Sequence, residues 1–375
     1  MAATVARSLV ALQGGDSMSR KMLWLGLFLI GAQAAFAVTR ISVGDFEGRL
    51  SKLRGKPDDF VADRISSFEL TQRATSGHLA QWLSDFHGKA SQLALIALAD
   101  NSAFLELSPG DIPAKDKPTH EEQQAIVGRA IQSLREAIQR LPDFRATRDT
   151  LQFDDSKIDQ GLVGFGPGDL PLNMPEAERK THLIDKHSLS VSYVHGTETV
   201  NDRDPATLKR AGTGLTTWGE FGPILSAIFG DSDEGSFAFE SWERTPSGTL
   251  AIFKYSVPQE RSHYLVSVKP RIEPQYPAYQ GEIAIDPETG AVGRVTMISH
   301  LEAGHPAMAA SANIAVEYGP IVLGDHTYNC PVHGVATSSN VNLDAAGKGL
   351  RQVNDIQFSH YHLFRGDVRI LPDTP

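Results

Sequence analysis

A single cysteine, Cys330, in 375 residues excludes an internal disulfide framework and any zinc site built on thiolates. Basic residues are also short. With 35 Lys and Arg against 45 Asp and Glu, the net charge of -10 is a poor match to a nucleic-acid backbone. No uninterrupted apolar run reaches the roughly 18 to 20 residues that a membrane-spanning helix needs. After the first 37 residues the chain contains no Gly-x-Ser-x-Gly elbow, no His-Glu-x-x-His helix and no Ser-x-x-Lys signature. Gly164-Phe-Gly-Pro-Gly168 lacks the Lys-Ser/Thr of a phosphate loop and reads as an ordinary loop. The remaining composition, 41% hydrophobic and 21% charged, is that of a globular protein long enough for two domains.

The N-terminus has the polarity order of an export leader. Arg20 and Lys21 precede an apolar run from Met22 to Ile30, and small residues lead to Ala35-Phe36-Ala37. A basic segment, a short apolar core and an A-x-A site predict a signal peptide cleaved after Ala37, and hence a periplasmic or secreted chain. Residues 1–17 fit no part of a leader, and Met18 stands where a compact one would start. No cysteine follows the apolar run, so no lipid anchor is expected there.

From Ser42 to Leu141 the periodicity is helical. Val43, Phe46 and Leu50 recur at three and four, and His87 to Asp100 carries Leu93, Leu95, Ile96 and Leu98 among alanines. Thr119-His120-Glu121-Glu122 is a capping box, opening a helix expected to run to about Arg140, ahead of Pro142. After Pro142 the period becomes two, in Arg145 to Phe153, His187 to His195 and a series of short segments ending with Gln352 to Phe364. Thr245-Pro-Ser-Gly248 and Asp286-Pro-Glu-Thr-Gly290 supply the Pro and Gly of tight antiparallel hairpins.

The expected fold is α+β. A leader and upstream extension (1–37) precede a small helical domain (38–142) and a large curved antiparallel β-sheet, an open half-barrel (143–375). That last domain carries a Gly-, Pro- and Asp-rich insertion at about 155–186 and a covering helix at about 215–229. In the last, Trp218, Phe221, Leu225, Ile228 and Phe229 lie near helical spacing, and Pro223 is expected to break the helix.

Four constellations bear on chemistry. His360 and His362, two apart on a strand with Ile356 and Phe358, are a possible metal pair or, as read more simply, partly buried hydrogen-bonded histidines. Cys330 reads as a small buried hydrophobe. Glu234, Glu240, Glu243 and Glu260 can in principle serve as acid and base, but on strands they read as a solvated face. Phe253 and Tyr255 share a sheet face with Ala251 and Val257, which the apolar helix is placed to cover.

The hairpin Gly281-Glu-Ile-Ala-Ile-Asp-Pro-Glu-Thr-Gly290-Ala-Val-Gly-Arg294-Val and the segment Ile314 to Pro331, with Glu317-Tyr318-Gly319-Pro320 and Tyr328-Asn-Cys-Pro331, resemble the periplasmic lipoprotein-carrier (LolA-like and LolB-like) superfamily over about residues 144–364. The resemblance implies an incomplete barrel sheltering acyl chains beneath a helical lid. On that reading the chain is a non-catalytic carrier of an apolar or amphipathic molecule or lipid. Trp218, Phe221, Leu225, Phe229, Phe253 and Tyr255 would be its ligand contacts, and no cofactor is implied. Two alternatives stand beside it: an envelope structural protein with a solid core that docks a protein partner, and a carboxylate- or metal-dependent hydrolase.

Overall fold

The computed structural model describes residues 38–155, 180–201, 214–215, 220–232, 236–269, 272–301, 310–340 and 350–364. The expected leader, Trp218, Glu234 and most of the Gly-, Pro- and Asp-rich insertion lie outside the described residues.

In chain order, strand β1 (Thr39–Ile41) leads into helices α1 (Val43–Leu50) and α2 (Asp58–Ile65). Strand β2 (Phe68–Leu70), helices α3 (Ser76–Asp85), α4 (Lys89–Asn101) and α5 (His120–Arg140), and strands β3 (Phe144–Asp154), β4 (His182–Val194), β5 (Thr197–Asn201) and β6 (Gly214–Leu215) follow. Helix α6 (Pro223–Asp231) interrupts the strands, which resume as β7 (Ala238–Thr245), β8 (Gly248–Val257), β9 (Val266–Lys269), β10 (Ile272–Gln275) and β11 (Tyr279–Ile285). The last are β12 (Val292–Leu301), β13 (Ala310–Leu323), β14 (His326–Asn340) and β15 (Leu350–Leu363).

Local chemistry explains most boundaries. The Thr119 hydroxyl accepts from Glu122 N while the Glu122 carboxylate accepts from Thr119 N, so α5 starts at the box that the sequence marks. The β11–β12 turn closes with Gly290 at φ 74°, and Asp286 Oδ1 accepts from the amides of Glu288 and Thr289. Gly248 does the same for β7–β8 at φ 146°.

Ten strands form one open antiparallel sheet in the order β5-β4-β3-β15-β14-β13-β12-β11-β8-β7. β6, β9 and β10 form a second, three-stranded sheet, and β1 pairs with β2 in parallel. Helices cover both faces of the large sheet. On one face, Ile126, Val127 and Ala130 of α5 and Ile224, Leu225 and Ile228 of α6 close over Phe253, Tyr255, Ile283 and Val316. On the other face, Ala97 of α4 packs on Phe153, Ala315, Val335 and Val353. The helices before residue 142 have an apolar cluster of their own around Phe46, Ile65, Trp82 and Leu95, yet Ala37–Pro375 gather into one compact unit.

Several expectations need correction. The covering helix spans Pro223–Asp231 instead of 215–229, with Gly214 and Leu215 in a strand. Pro223 stands at the first helical turn, where its missing N–H costs nothing, so it starts the helix that it was expected to break. The insertion expected at 155–186 gives way to β4 at His182. Where the sequence suggests only a series of short segments, Ala310–Leu323 and His326–Asn340 are two long strands. β12 pairs with β13 only as far as Glu317, and β15 with β14 only from His333, so Pro320 and Pro331 lie where the hairpin has no further strand neighbour to need their amides. Finally, β15 has an irregularity after Ser359, with His360 at φ 49°. This turns Tyr361 toward Phe144 and leaves His360 and His362 exposed, so they are not a buried pair with Ile356 and Phe358.

Candidate functional site

The face of the sheet beneath α3 and α4 carries a row of polar side chains. Arg294 on β12 lies opposite Glu317 on β13, Glu317 opposite His333 on β14, and His333 opposite Gln357 on β15. Directly paired residues share a face, so these four point together toward the helical layer. Asp355, two residues before Gln357, joins them.

Helix α4 brings the remaining member. Its Ala- and Leu-rich sequence is buried on two sides: Leu95, Leu98 and Ala99 belong to the helical cluster, and Ala97 faces the sheet. Asp100, one helical turn beyond Ala97, points the same way and is only 2% exposed. Every local rule disfavours it there, since a buried carboxylate loses its hydration and the last turn of a helix is the negative end of its dipole.

The contacts are close. His333 Nε2 stands 2.7 Å from Asp355 Oδ1 and 3.9 Å from Asp100 Oδ1, while His333 Nδ1 lies 3.9 Å from Glu317 Oε2. Gln357 Nε2 donates to Asp355 Oδ1 at 3.2 Å. Asp100 Oδ2 is buried and has no hydrogen-bond partner among the described residues. Burial opposes the charged form of His333, but the Asp355 hydrogen bond and the Asp100, Asp355 and Glu317 charges outweigh it and push its pKa up to about 9. Burial, followed by repulsion from Asp355, holds the Asp100 carboxyl well above the usual range.

Beside this acidic group lies a buried ionic quartet. Arg73 Nη2 is 2.7 Å from Glu243 Oε2 and its Nη1 is 3.5 Å from Glu282 Oε2; Arg294 Nη2 is 3.0 Å from Glu282 Oε2 and 3.9 Å from Glu243 Oε2. Burial raises the pKa of both glutamates, opposed chiefly by Arg73. Arg294 keeps two buried donors, Nε and Nη1, with no partner among the described residues. The two arginines match the two glutamates, so the charge excess of the layer sits at Asp100, Asp355 and Glu317.

A cavity of about 220 Å³ joins the two groups. Leu79, Ala80 and Leu83 of α3 and Ala315 and Val335 of the sheet wall it, and Arg73, Asp100, Glu243, Arg294, Glu317 and His333 supply its polar end. Apolar walls with a few converging polar groups are the usual make-up of a small-molecule site.

The residues expected as ligand contacts lie elsewhere. Phe253, Tyr255 and Leu225 are in the core beneath α5 and α6, Phe229 packs at its margin, and Phe221 sits in a neighbouring cluster with Phe144 and Phe358. Phe253 is 0% and Tyr255 3% exposed. Of the four glutamates, Glu240 is exposed and pairs with Lys254 at 3.0 Å, and Glu260 is exposed. Glu243, expected on a solvated face, is buried against Arg73 instead. Cys330 is buried as expected, and burial pushes its thiol up to about 12. The signal that could have found the site is polar residues spaced two from Ala315, Val335 and Val353 on strands apolar on both faces.

No family model matches the chain, and no curated protein matches it.

Proposed function

We propose that the protein is an exported, non-catalytic binding protein that holds a small amphipathic molecule in the cavity between α3, α4 and the sheet. The observation that carries this reading is an apolar-walled cavity that ends on Arg294, whose buried Nε and Nη1 have donors to spare. A carbonyl or carboxylate oxygen of the ligand takes those hydrogen bonds, and its short apolar part lies against Leu79, Leu83 and Val335. Burying a guanidinium with unmet donors is costly, so a ligand that satisfies them gains more than its contact area.

The size of the cavity narrows the ligand. At about 220 Å³ it falls below the roughly 300 to 1,000 Å³ of drug-sized sites, which favours a molecule of few heavy atoms over a whole lipid. The resemblance to lipoprotein carriers, the half-barrel shape and the leader belong to the same reading, with one change. α5 and α6 fill the face that a carrier of that kind would offer to acyl chains, so the binding site moves to the opposite face of the sheet.

Calorimetric titration of the full chain with short-chain carboxylates, butanoate to octanoate, tests the proposal. Saturable binding that Leu83→Trp removes while the circular dichroism spectrum stays unchanged is the expected result. Absence of heat across the series, together with an organic extract of the purified protein free of small acids and amides by mass spectrometry, would overturn it.

A further inference from the structure

We infer that Asp100, His333 and Asp355 form a binding site for a divalent first-row cation of the zinc or manganese class. One ligand atom from each, a carboxylate oxygen from the two aspartates and a ring nitrogen from the histidine, lies within 4.8 Å of the others. The shortest of these separations, His333 Nε2 to Asp355 Oδ1 at 2.7 Å, is a hydrogen bond that has to open by only a few tenths of an ångström for both atoms to share an ion at roughly 2.0 to 2.2 Å. Asp100 Oδ1, at 3.9 Å from the same nitrogen, needs only a small side-chain adjustment to complete the group.

A second observation points to a ligand independently of the clustering. Asp100 Oδ2 is buried, lacks a hydrogen-bond partner among the described residues, and belongs to a side chain that lines the cavity. Its placement on α4 is costly twice over, through lost hydration and through the helix dipole, and His333 at 3.9 Å offsets only part of that cost. Neither nearby arginine forms an ion pair with it: Arg73 and Arg294 stand against Glu243 and Glu282. A doubly charged ion meets both costs at once.

The surroundings have the form of an outer shell. A metal-bound imidazole needs a partner for its other nitrogen, and Glu317 lies 3.9 Å from His333 Nδ1. A ligating carboxylate is itself held by hydrogen bonds, and the Gln357 amide donates to Asp355. Strands β14 and β15 hold His333 and Asp355 on paired backbone, with Glu317 and Gln357 in the same cross-strand row as His333, so only Asp100 comes from the helical layer. One imidazole and two carboxylates, with no thiolate, suit zinc or manganese better than a soft ion such as Cu(I). Magnesium and calcium prefer oxygen alone, so the histidine selects against them. The cavity supplies an entry path and leaves a coordination position open toward it.

The ion does not depend on the organic ligand, and the test uses metal alone, so its failure leaves the carboxylate titration above unaffected. The full chain is stripped with a chelator, dialysed, and titrated at pH 7 with zinc or manganese chloride, with magnesium chloride as comparison. One equivalent of zinc or manganese binds and raises the unfolding temperature, and magnesium binds far more weakly. D100N and H333Q each weaken binding at least tenfold, while E240Q, an exposed position outside the site, binds as wild type. Should a variant fail to fold, the wild-type stoichiometry and thermal shift decide the matter. Absence of one-to-one binding, or H333Q and D100N titrating like wild type, overturns the assignment.

Discussion

Single residues show where this fold leaves no freedom. At Gly290 an added Cβ would fall 2.5 Å from the backbone of Arg129 in α5, and φ is 74°. Gly196 has a similar φ of 79° with nothing within 4 Å of its added Cβ. Left-handed backbone costs a residue with a Cβ roughly 1 to 2 kcal/mol. Gly196→Ala should therefore lose about that much stability and Gly290→Ala clearly more, because the β11–β12 turn must leave α5, whose Arg129 donates to Pro287 O. Chemical denaturation of the two variants checks the ordering; equal losses would mean that the turn does not bear on the helix. Asp231 sets the response to acid. Burial raises its pKa, but hydrogen bonds from His263 N at 2.9 Å, His263 Nδ1 at 2.6 Å and Tyr279 Oη at 2.8 Å outweigh that and hold it below the ordinary value of 3.8. Between the lowered folded pKa and the unfolded one the unfolded chain binds more protons, so this stability is present above about pH 4 and is lost as pH falls through the folded value. Asp231→Asn should be less stable at neutral pH and lose less on acidification below pH 4, as followed by thermal unfolding at several pH values. Other residues leave only a faint signal in the sequence. Asp100, Glu317, His333 and Asp355 are polar positions far apart in the chain, and on β13, β14 and β15 such positions read as solvent-facing. Asp355 is buried and Glu317 and His333 are half-buried because a helical layer that carries Asp100 lies over them, and that is a tertiary fact which periodicity does not carry.

At the scale of elements, signals held within one segment were legible and those needing a partner were not. Helix α5 begins at its capping box and ends before Pro142, and the hairpins close on the Pro and Gly that mark them, because each depends only on nearby backbone groups. Apolar spacing predicts the start of α6 about eight residues early, since it does not distinguish a proline that ends a helix from one that starts it. The packing of α6 also decides between a lid and a core element. Ile228 is 0% exposed, in one cluster with Ile126, Phe253 and Val316. Truncating a fully buried isoleucine in a fixed core costs about 2 to 5 kcal/mol. Ile228→Ala should fall within that range by denaturant titration. A loss of only a few tenths would instead mark a segment that spends much of its time off the sheet.

For the whole molecule, the order of layers makes the helices before residue 142 necessary to the sheet after it. α5 supplies Ile126, Val127 and Ala130 to the cluster over β8, β11 and β13, so the face that a half-barrel would keep open is completed by a segment from the N-terminal half. On the opposite face Ala97 covers Phe153, Ala315, Val335 and Val353, and Arg73, just before α3, is a counter-charge for Glu243 and Glu282. A chain of residues 143–375 would uncover one apolar face of the central strands, keep only α6 on the other, and leave Glu243 and Glu282 with Arg294 alone. Breaking a buried ion pair by removing one partner costs about 3 to 5 kcal/mol, before any apolar surface is counted. That is a large share of the roughly 5 to 15 kcal/mol by which domains are stable. Residues 143–375 expressed alone should therefore lack a cooperative melt and bind hydrophobic dye, whereas residues 38–375 should unfold in one calorimetric transition. Two separated transitions in the longer chain, the later one reproduced by 143–375, would show instead that the sheet stands without its helical layers, and the cavity beneath α3 and α4 would then be a boundary between independent bodies.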